Sequence, residues 1–305
     1  MIYLISPNQK YSGNLVTINR ISNYFQNSQI ITIQDLDNIK INNQDIVIGL
    51  HAYKVGKYLI NKNYNFYIII GGTDLNCDLY DNQKKNTIIQ VLNQSKKIIV
   101  FNVFQKMLIS ELKLGIDKTV MIPQAVGDLK SNNFDLRKYL GLNSYDKIYL
   151  IVGNLRRVKD PLFLINEFKF LYDNFNYNFV YIGNNVDNYF LDYYWIKHIN
   201  GLDQVSAHTA IKQANGLINT SLSEGMSQTI LEAMKLRCPV YVRVNNSNEY
   251  IVQHNITGYL FVNPNDFLKA IKFENTDQIR DNAYQYVNSK HNIVLEKEKF
   301  ENIIT

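Results

Sequence analysis

The residues with most chemical content lie in one run: Ser223-Glu224-Gly225-Met226-Ser227-Gln228-Thr229-Ile230-Leu231-Glu232-Ala233-Met234. The run follows an apolar, strand-like segment, Leu217–Ser221, and opens a helical pattern whose cap is read at Ser223 and Glu224. A helix start carries unpaired N–H groups and a positive dipole end, which suits a phosphate or sugar hydroxyls. Gly225 marks a place where backbone comes close to another group. Glu224 and Glu232 are eight positions apart. That is about 800° of helical rotation, so in a helix that began early both project within about 80° of each other. Two acceptor-only carboxylates there fit vicinal hydroxyls, as on a ribose or a hexose. The plain alternative is one capping and one surface glutamate.

Two further side chains stand where chemistry is feasible. His51 ends the apolar stretch Ile46–Leu50, and Asp74 follows Gly71-Gly72-Thr73. Both are candidates to meet an acceptor or a sugar. A satisfied structural histidine and a helix-capping aspartate are the competing readings. His198, His208, His254 and His291 show no metal spacing and read as structural. Gly71-Gly72 lacks the third glycine and trailing acid of a dinucleotide-binding fingerprint.

These residues need a scaffold, and its period is visible. Ile2–Ser6, Ile30–Ile33, Ile46–Leu50, Phe66–Ile70, Ile98–Phe101 and Val120–Ile122 read as short buried strands. Helical stretches, Leu15–Phe25, Gly56–Asn61, Lys85–Asn93 and Gln105–Leu114, fall between them. After the polar stretch Asp128–Asn143 the pattern restarts with Ile148–Val152, a helix over Pro161–Phe175, and strands at Phe179–Ile182, Leu217–Asn219 and Val240–Val242. Helices over Gln278–Val287 and Ile293–Ile303 close the chain. Strands apolar on both faces and separated by helices predict parallel sheets covered on both sides. The expected architecture is therefore α/β: two doubly wound Rossmann-like domains facing a cleft, with ligands at the carboxyl ends of the strands. The expected domains are 1–140, 141–275 and a helical tail, 276–305, packing back toward the first.

Composition agrees with a globular chain of 305 residues, 46% hydrophobic and 19% charged. Over-used Asn, Ile, Lys and Tyr share AT-rich codons, so the bias reads as genomic. No apolar run reaches 18 residues, and the start MIYLISPNQKYSG lacks a basic leader region. The two cysteines, Cys77 and Cys238, read as small buried residues in a reducing cytoplasm. Residues 1–140 carry 16 Lys and Arg against 10 Asp and Glu; the remainder carries 16 against 17. The basic half is compatible with an anionic acceptor or a peripheral membrane contact, and equally with a solvated lysine surface. No dense basic-aromatic pattern supports nucleic acid.

The arrangement Glu224, seven residues, Glu232, inside Ser-Glu-Gly-Met-Ser and Leu-Glu-Ala-Met, resembles the E-x7-E motif of the retaining GT-B glycosyltransferases called group 1 or family 4. Val152-Gly153-Asn154-Leu155-Arg156-Arg157-Val158-Lys159-Asp160-Pro161 is similar to that family's strand-to-helix loop with basic phosphate ligands. Asn255-Ile256-Thr257-Gly258-Tyr259-Leu260-Phe261 resembles its later turn and strand. Tyr11-Ser12-Gly13-Asn14 and Gly71-Gly72-Thr73-Asp74 stand where its first half meets the cleft.

The resemblance implies transfer of a sugar from a nucleotide-diphospho-sugar to an unidentified acceptor, with retention at the anomeric carbon and without a metal or other cofactor. It implies that Glu232 binds the ribose and Glu224 the donor sugar's hydroxyls. Gly225, Met226 and Ser227 offer backbone to the sugar, while Gly13 and Gly153 let loops approach the diphosphate. Lys159 and Arg156 are the expected cations on the leaving group, with Arg157 as the competitor to Arg156. The family's usual Arg after the glycine is Asn154 here. That departure motivates an alternative, a catalytically idle nucleotide-sugar-binding or partner subunit; an epimerase of the same fold is a third reading. Asp35-Leu36-Asp37 looks like the D-x-D metal motif of the other large glycosyltransferase fold, but its early polar loop makes it a chance match.

Overall fold

The computed structural model describes residues 1–7, 13–272 and 277–304. Tyr11 and Ser12 lie outside the described residues. The chain forms two compact units. Unit 1 comprises Met1–Ala125, Glu224–Met226 and Asn292–Thr305; unit 2 comprises Val126–Ser223 and Ser227–His291.

Unit 1 holds β1 (Ile2–Ile5), β2 (Ser28–Ile31), β3 (Ile46–Leu50), β4 (Asn65–Ile69), β5 (Lys97–Val100) and β6 (Thr119–Met121). They form one sheet in the order β2-β1-β3-β4-β5-β6, with parallel pairs throughout. β3 and β4 show why: four of the five residues in each are buried. A strand covered on both faces must be apolar at consecutive positions, and each buried Ile or Val contributes roughly 1.5–3 kcal/mol of transfer free energy. One core cluster runs under this sheet from Ile5 and Val47 through Ile68 and Val100 to Leu92 on the helix Asn82–Gln94.

Unit 2 repeats the plan with β7 (Lys147–Val152), β8 (Tyr177–Ile182), β9 (Ile196–Ile199), β10 (Gly216–Asn219), β11 (Val240–Arg243) and β12 (Tyr259–Phe261). The order is β12-β11-β10-β7-β8-β9, again parallel. Its core is unusually aromatic. Phe168 stacks on Phe179 at 4.0 Å between ring centroids and Tyr241 on Tyr259 at 4.9 Å.

Two doubly wound sheets are thus present, as the sequence pattern predicts, and several local expectations need correction. Gly56–Asn61 is not a helix; only a 3-10 turn, Gly56–Tyr58, forms. A Cβ at Gly56 would fall 2.6 Å from Val91 Cγ1, so the chain here lies directly on the helix Asn82–Gln94. Pro161 does not open a helix. Residues 161–164 are turn, following Asp160 at φ +43°, and the helix runs over Ile165–Phe175. Cys77 is exposed, whereas Cys238 is buried, its thiol pushed up to about 12 by desolvation.

Candidate functional site

In a doubly wound sheet the ligand crevice opens at the carboxyl ends of two adjacent strands whose connections leave in opposite directions. In unit 2 those strands are β7 and β10, neighbours in the sheet but far apart in the chain. A recess lies there, lined by Gly153, Lys159, Asn219, Thr220 and Ser221 among others. The β7 exit is held in place by its neighbours. Thr220 Oγ1 donates to the Lys159 carbonyl at 2.7 Å, and the Leu222 N–H donates to the Val158 carbonyl at 2.9 Å. Gly153 takes φ +135°, open to glycine alone without strain. Gly183, at φ +147°, crosses so close that a Cβ would overlap the Gly153 carbonyl oxygen.

The cations of this loop differ in their surroundings. Arg157 is exposed, and its backbone N–H donates to Asp187 at 2.6 Å. Arg156 is half-buried, and its Nε is enclosed with no hydrogen-bond partner among the described residues. A buried guanidinium nitrogen without an acceptor carries a desolvation cost, which an anionic ligand would relieve. Asp160 is engaged by Arg243 at 2.7 Å. Asn154, at the position of the family's arginine, accepts the Asn184 N–H on Oδ1 at 3.3 Å.

The helix after β10 begins at Gln228, with Ser227 as its N-cap, and runs to Lys235. The early start at Ser223 and Glu224 is therefore corrected, and the shared-face geometry for Glu224 and Glu232 does not arise. Glu232 sits on this helix with its carboxylate 3.5 Å from His208 Nε2.

Glu224, Gly225 and Met226 belong to unit 1, where three side-chain amides hold their carbonyls. Asn76 donates to Glu224 O at 3.1 Å, Asn102 to Gly225 O at 2.7 Å, and Gln124 to Met226 O at 3.1 Å. These bonds hold the backbone of residues 224–226, which is outside any helix or strand. Gly225 is required sterically: a Cβ there would overlap the Gly71 carbonyl oxygen. Gly72, at φ +112°, faces the same contact from the other side.

In unit 1 the corresponding crevice lies at the ends of β1 and β3. His51 directly follows β3 at φ +87°, unusual for a side chain of its size, and is buried. The Lys54 N–H donates to its Nδ1 at 3.2 Å, so the proton sits on Nε2, which donates to Thr73 Oγ1 at 2.9 Å. Burial holds the imidazole pKa down, opposed by Asp74 and Asp78. Asp74 is wholly buried. Its carboxylate accepts backbone N–H bonds from Ala52, Gly71, Gly72 and Leu75 at 2.7–3.2 Å. Those bonds tie the Gly71-Gly72 turn to the β3 exit, so Asp74 shapes the turn and presents no surface of its own. Gly13 opens the helix Gly13–Ser22, and a Cβ there would meet no described atom within 4 Å. Sequence reasoning missed the three amides that hold residues 224–226; Asn76, Asn102 and Gln124 carry no motif.

The two parallel six-stranded sheets, each with its crevice at a strand-order reversal, define the GT-B glycosyltransferase fold. Residues 132–290 match the family described as Glycosyl transferases group 1. Glycosyltransferase 1 domain-containing protein 1 of Xenopus tropicalis is 32% identical over 286 residues, covering 86% of this chain and 81% of that protein. The UDP-Gal:alpha-D-GlcNAc-diphosphoundecaprenol alpha-1,3-galactosyltransferase of Escherichia coli is 26% identical over 185 residues, 57% of this chain and 46% of that protein. Among solved structures, Anabaena HepE in complex with UDP-glucose aligns with a TM-score of 0.82 at 14% identity, over 99% of this chain and 98% of that one. The chain belongs to the group 1 glycosyl transferases.

Proposed function

We propose that this protein transfers a sugar from a uridine-diphosphate sugar to an acceptor with retention of the anomeric configuration. The observation that carries the reading is the unit 2 crevice, with Lys159 in its lining and, on the same loop, the Nε of Arg156, which has no hydrogen-bond partner among the described residues. Lys159 and Arg156 take the diphosphate, Gly153 lets backbone approach it, and Glu232 takes the ribose. Glu224 binds the hydroxyls of the transferred sugar, and the backbone of Gly225, Met226 and Ser227 lines it. The uridine base rests on the E. coli relative, named for UDP-Gal, and on HepE, solved with UDP-glucose.

In the proposed step the acceptor oxygen bonds to the anomeric carbon as the bond from that carbon to the diphosphate oxygen breaks. The acceptor's proton passes to the departing diphosphate. No protein nucleophile takes part, so the protein's contribution is positioning and charge stabilisation of the leaving group. The cationic side chains supply the counter-charge, and the proposed chemistry calls for no cofactor. The acceptor's side is proposed to be served by unit 1, where His51 directly follows β3. Among the described residues no helix is long and apolar enough to cross a membrane.

A second reading, a nucleotide-sugar-binding subunit without turnover, has one observation in its favour: Asn154 spends its carbonyl on Asn184 and brings no charge. A thermal-shift panel of UDP, GDP, ADP and CMP, followed by donor hydrolysis assays, separates the two. Selective stabilisation by UDP, reaching about 2.7 kcal/mol at a hundredfold excess over Kd and weakened by Glu232→Ala, supports the donor assignment. Sugar transfer or donor hydrolysis then supports the transferase, and its absence with intact UDP binding supports the idle subunit. No shift with any nucleotide sinks both.

A further inference from the structure

His208 lies on the helix Gln204–Gln213, and its side chain is nearly fully enclosed. Neither ring nitrogen has a hydrogen-bond partner among the described residues. Burying an imidazole with both nitrogens unsatisfied is costly, and the molecule keeps it only if some state supplies a partner. Among the described residues an acceptor stands close by, the carboxylate of Glu232 on the helix Gln228–Lys235: Nε2 lies 3.5 Å from Oε1, at the outer edge of hydrogen-bond length. The glutamate's side chain is itself largely enclosed. The pair is two buried groups, one donor and one acceptor, parked slightly apart.

We propose that His208 is the positioning residue for Glu232. When a nucleotide's ribose enters, Nε2–H closes on Oε1, and the carboxylate is fixed with its remaining lone pairs on the 2′- and 3′-hydroxyls. His208 touches no substrate; it sets the rotamer of the group that does. Loose donor-acceptor geometry that tightens on ligand binding is common in unliganded sites. The inference rests on the ribose role proposed for Glu232 and adds a cause for selectivity: a ribose is preferred because only two hydroxyls complete the histidine-carboxylate array.

The test is calorimetric binding of UDP and 2′,3′-dideoxy-UDP to the full chain and its variants, with no turnover required. The unmodified protein should prefer UDP by tenfold or more. Glu232→Gln should remove that preference, and His208→Ala should reduce it at least fivefold. The double variant should be no weaker than Glu232→Gln alone. His208→Gln, whose amide N–H stands near the place of Nε2–H, should recover at least half of the preference and also serves if His208→Ala does not fold. If Glu232→Gln abolishes the preference while His208→Ala and His208→Gln leave it intact, or if the two losses simply add, the positioning role is wrong and the ribose assignment stands. If Glu232→Gln leaves the preference unchanged, the ribose assignment fails and this inference with it.

Discussion

Lys159 and His51 show how single groups are tuned by what surrounds them. Lys159 has its carbonyl fixed by Thr220 and its side chain lining the β7–β10 crevice, so its substitution removes charge and leaves the turn anchored. Lys159→Ala should lower kcat for sugar transfer or donor hydrolysis by about 10²–10³-fold, the usual scale for one group stabilising a developing anion. A kcat within twofold of the unmodified protein would remove Lys159 from the leaving-group role. His51 carries the opposite message. Its Nδ1 already accepts the Lys54 N–H, and burial disfavours the cation, so the folded imidazole resists a second proton. The unfolded chain titrates near 6.5 and therefore binds more protons than the folded one as pH falls through that value. Stability should be constant above the unfolded pKa and decline below it. Urea melts between pH 7.5 and 5 should show the decline, and His51→Asn, compatible with the positive φ, should flatten it. Of these residues Glu232 and Lys159 stand out in the sequence because each lies in a short contiguous segment that resembles the family, although Glu224 falls outside the helix that carries Glu232. His208 reads only as structural there, since its relation to Glu232 is made by two helices packing.

At the scale of elements, the loops after β7 and β8 depend on each other. Gly183 leaves β8 in a conformation that glycine tolerates, and the space a Cβ would need is filled by the Gly153 carbonyl. Gly183→Ala thus meets two penalties, backbone strain and overlap with a neighbouring backbone that cannot rotate away. We expect a loss of about 1–3 kcal/mol in urea unfolding and a weakening of UDP binding at least as large as that of Arg156→Ala, because Gly153 must shift. An unchanged UDP affinity would mean the loop adjusts without disturbing the crevice. The same packing explains what the sequence reveals of the elements. β3, β4, β7 and β8 are central strands, and their unbroken apolar runs announce them. β9 is an edge strand with Lys197 and His198 partly or wholly exposed, so Ile-Lys-His-Ile lacks that signature. The start of the helix Gln228–Lys235 is misread for a different reason. Ser223 and Ser227 are equally good caps locally, and amides from Asn76, Asn102 and Gln124 decide between them from far away in the chain.

At the scale of the molecule, chain order and unit membership part company: unit 1 takes its last helix, Ile293–Ile304, from the far end of the sequence. The periodicity reveals that helix, whereas its place is set by a buried polar cluster that no pattern displays. Arg20 makes a bidentate pair with Glu296, Nε to Oε2 at 2.7 Å and Nη2 to Oε1 at 3.0 Å, and the Tyr24 hydroxyl donates to the same carboxylate. Gln124 joins it, accepting from Thr17 at 2.9 Å and from Arg20 at 3.1 Å. Phe300, also buried, packs on Tyr24. Such an array adds little net stability when intact but penalises any missing member, because the partner is left charged and enclosed. Glu296→Ala should therefore cost about 3–5 kcal/mol, and Phe300→Ala a similar amount through its cavity. The losses should be local. Unit 2 has its own core, from Phe168 through Tyr241 to Phe267, and shares none of these residues. Amide exchange in Glu296→Ala should accelerate across Gly13–Ser22 and Ile293–Ile304 while β7, β8 and β10 keep their protection. Equal acceleration in those strands would mean that the two units unfold as one cooperative body and that the cluster stabilises the whole chain.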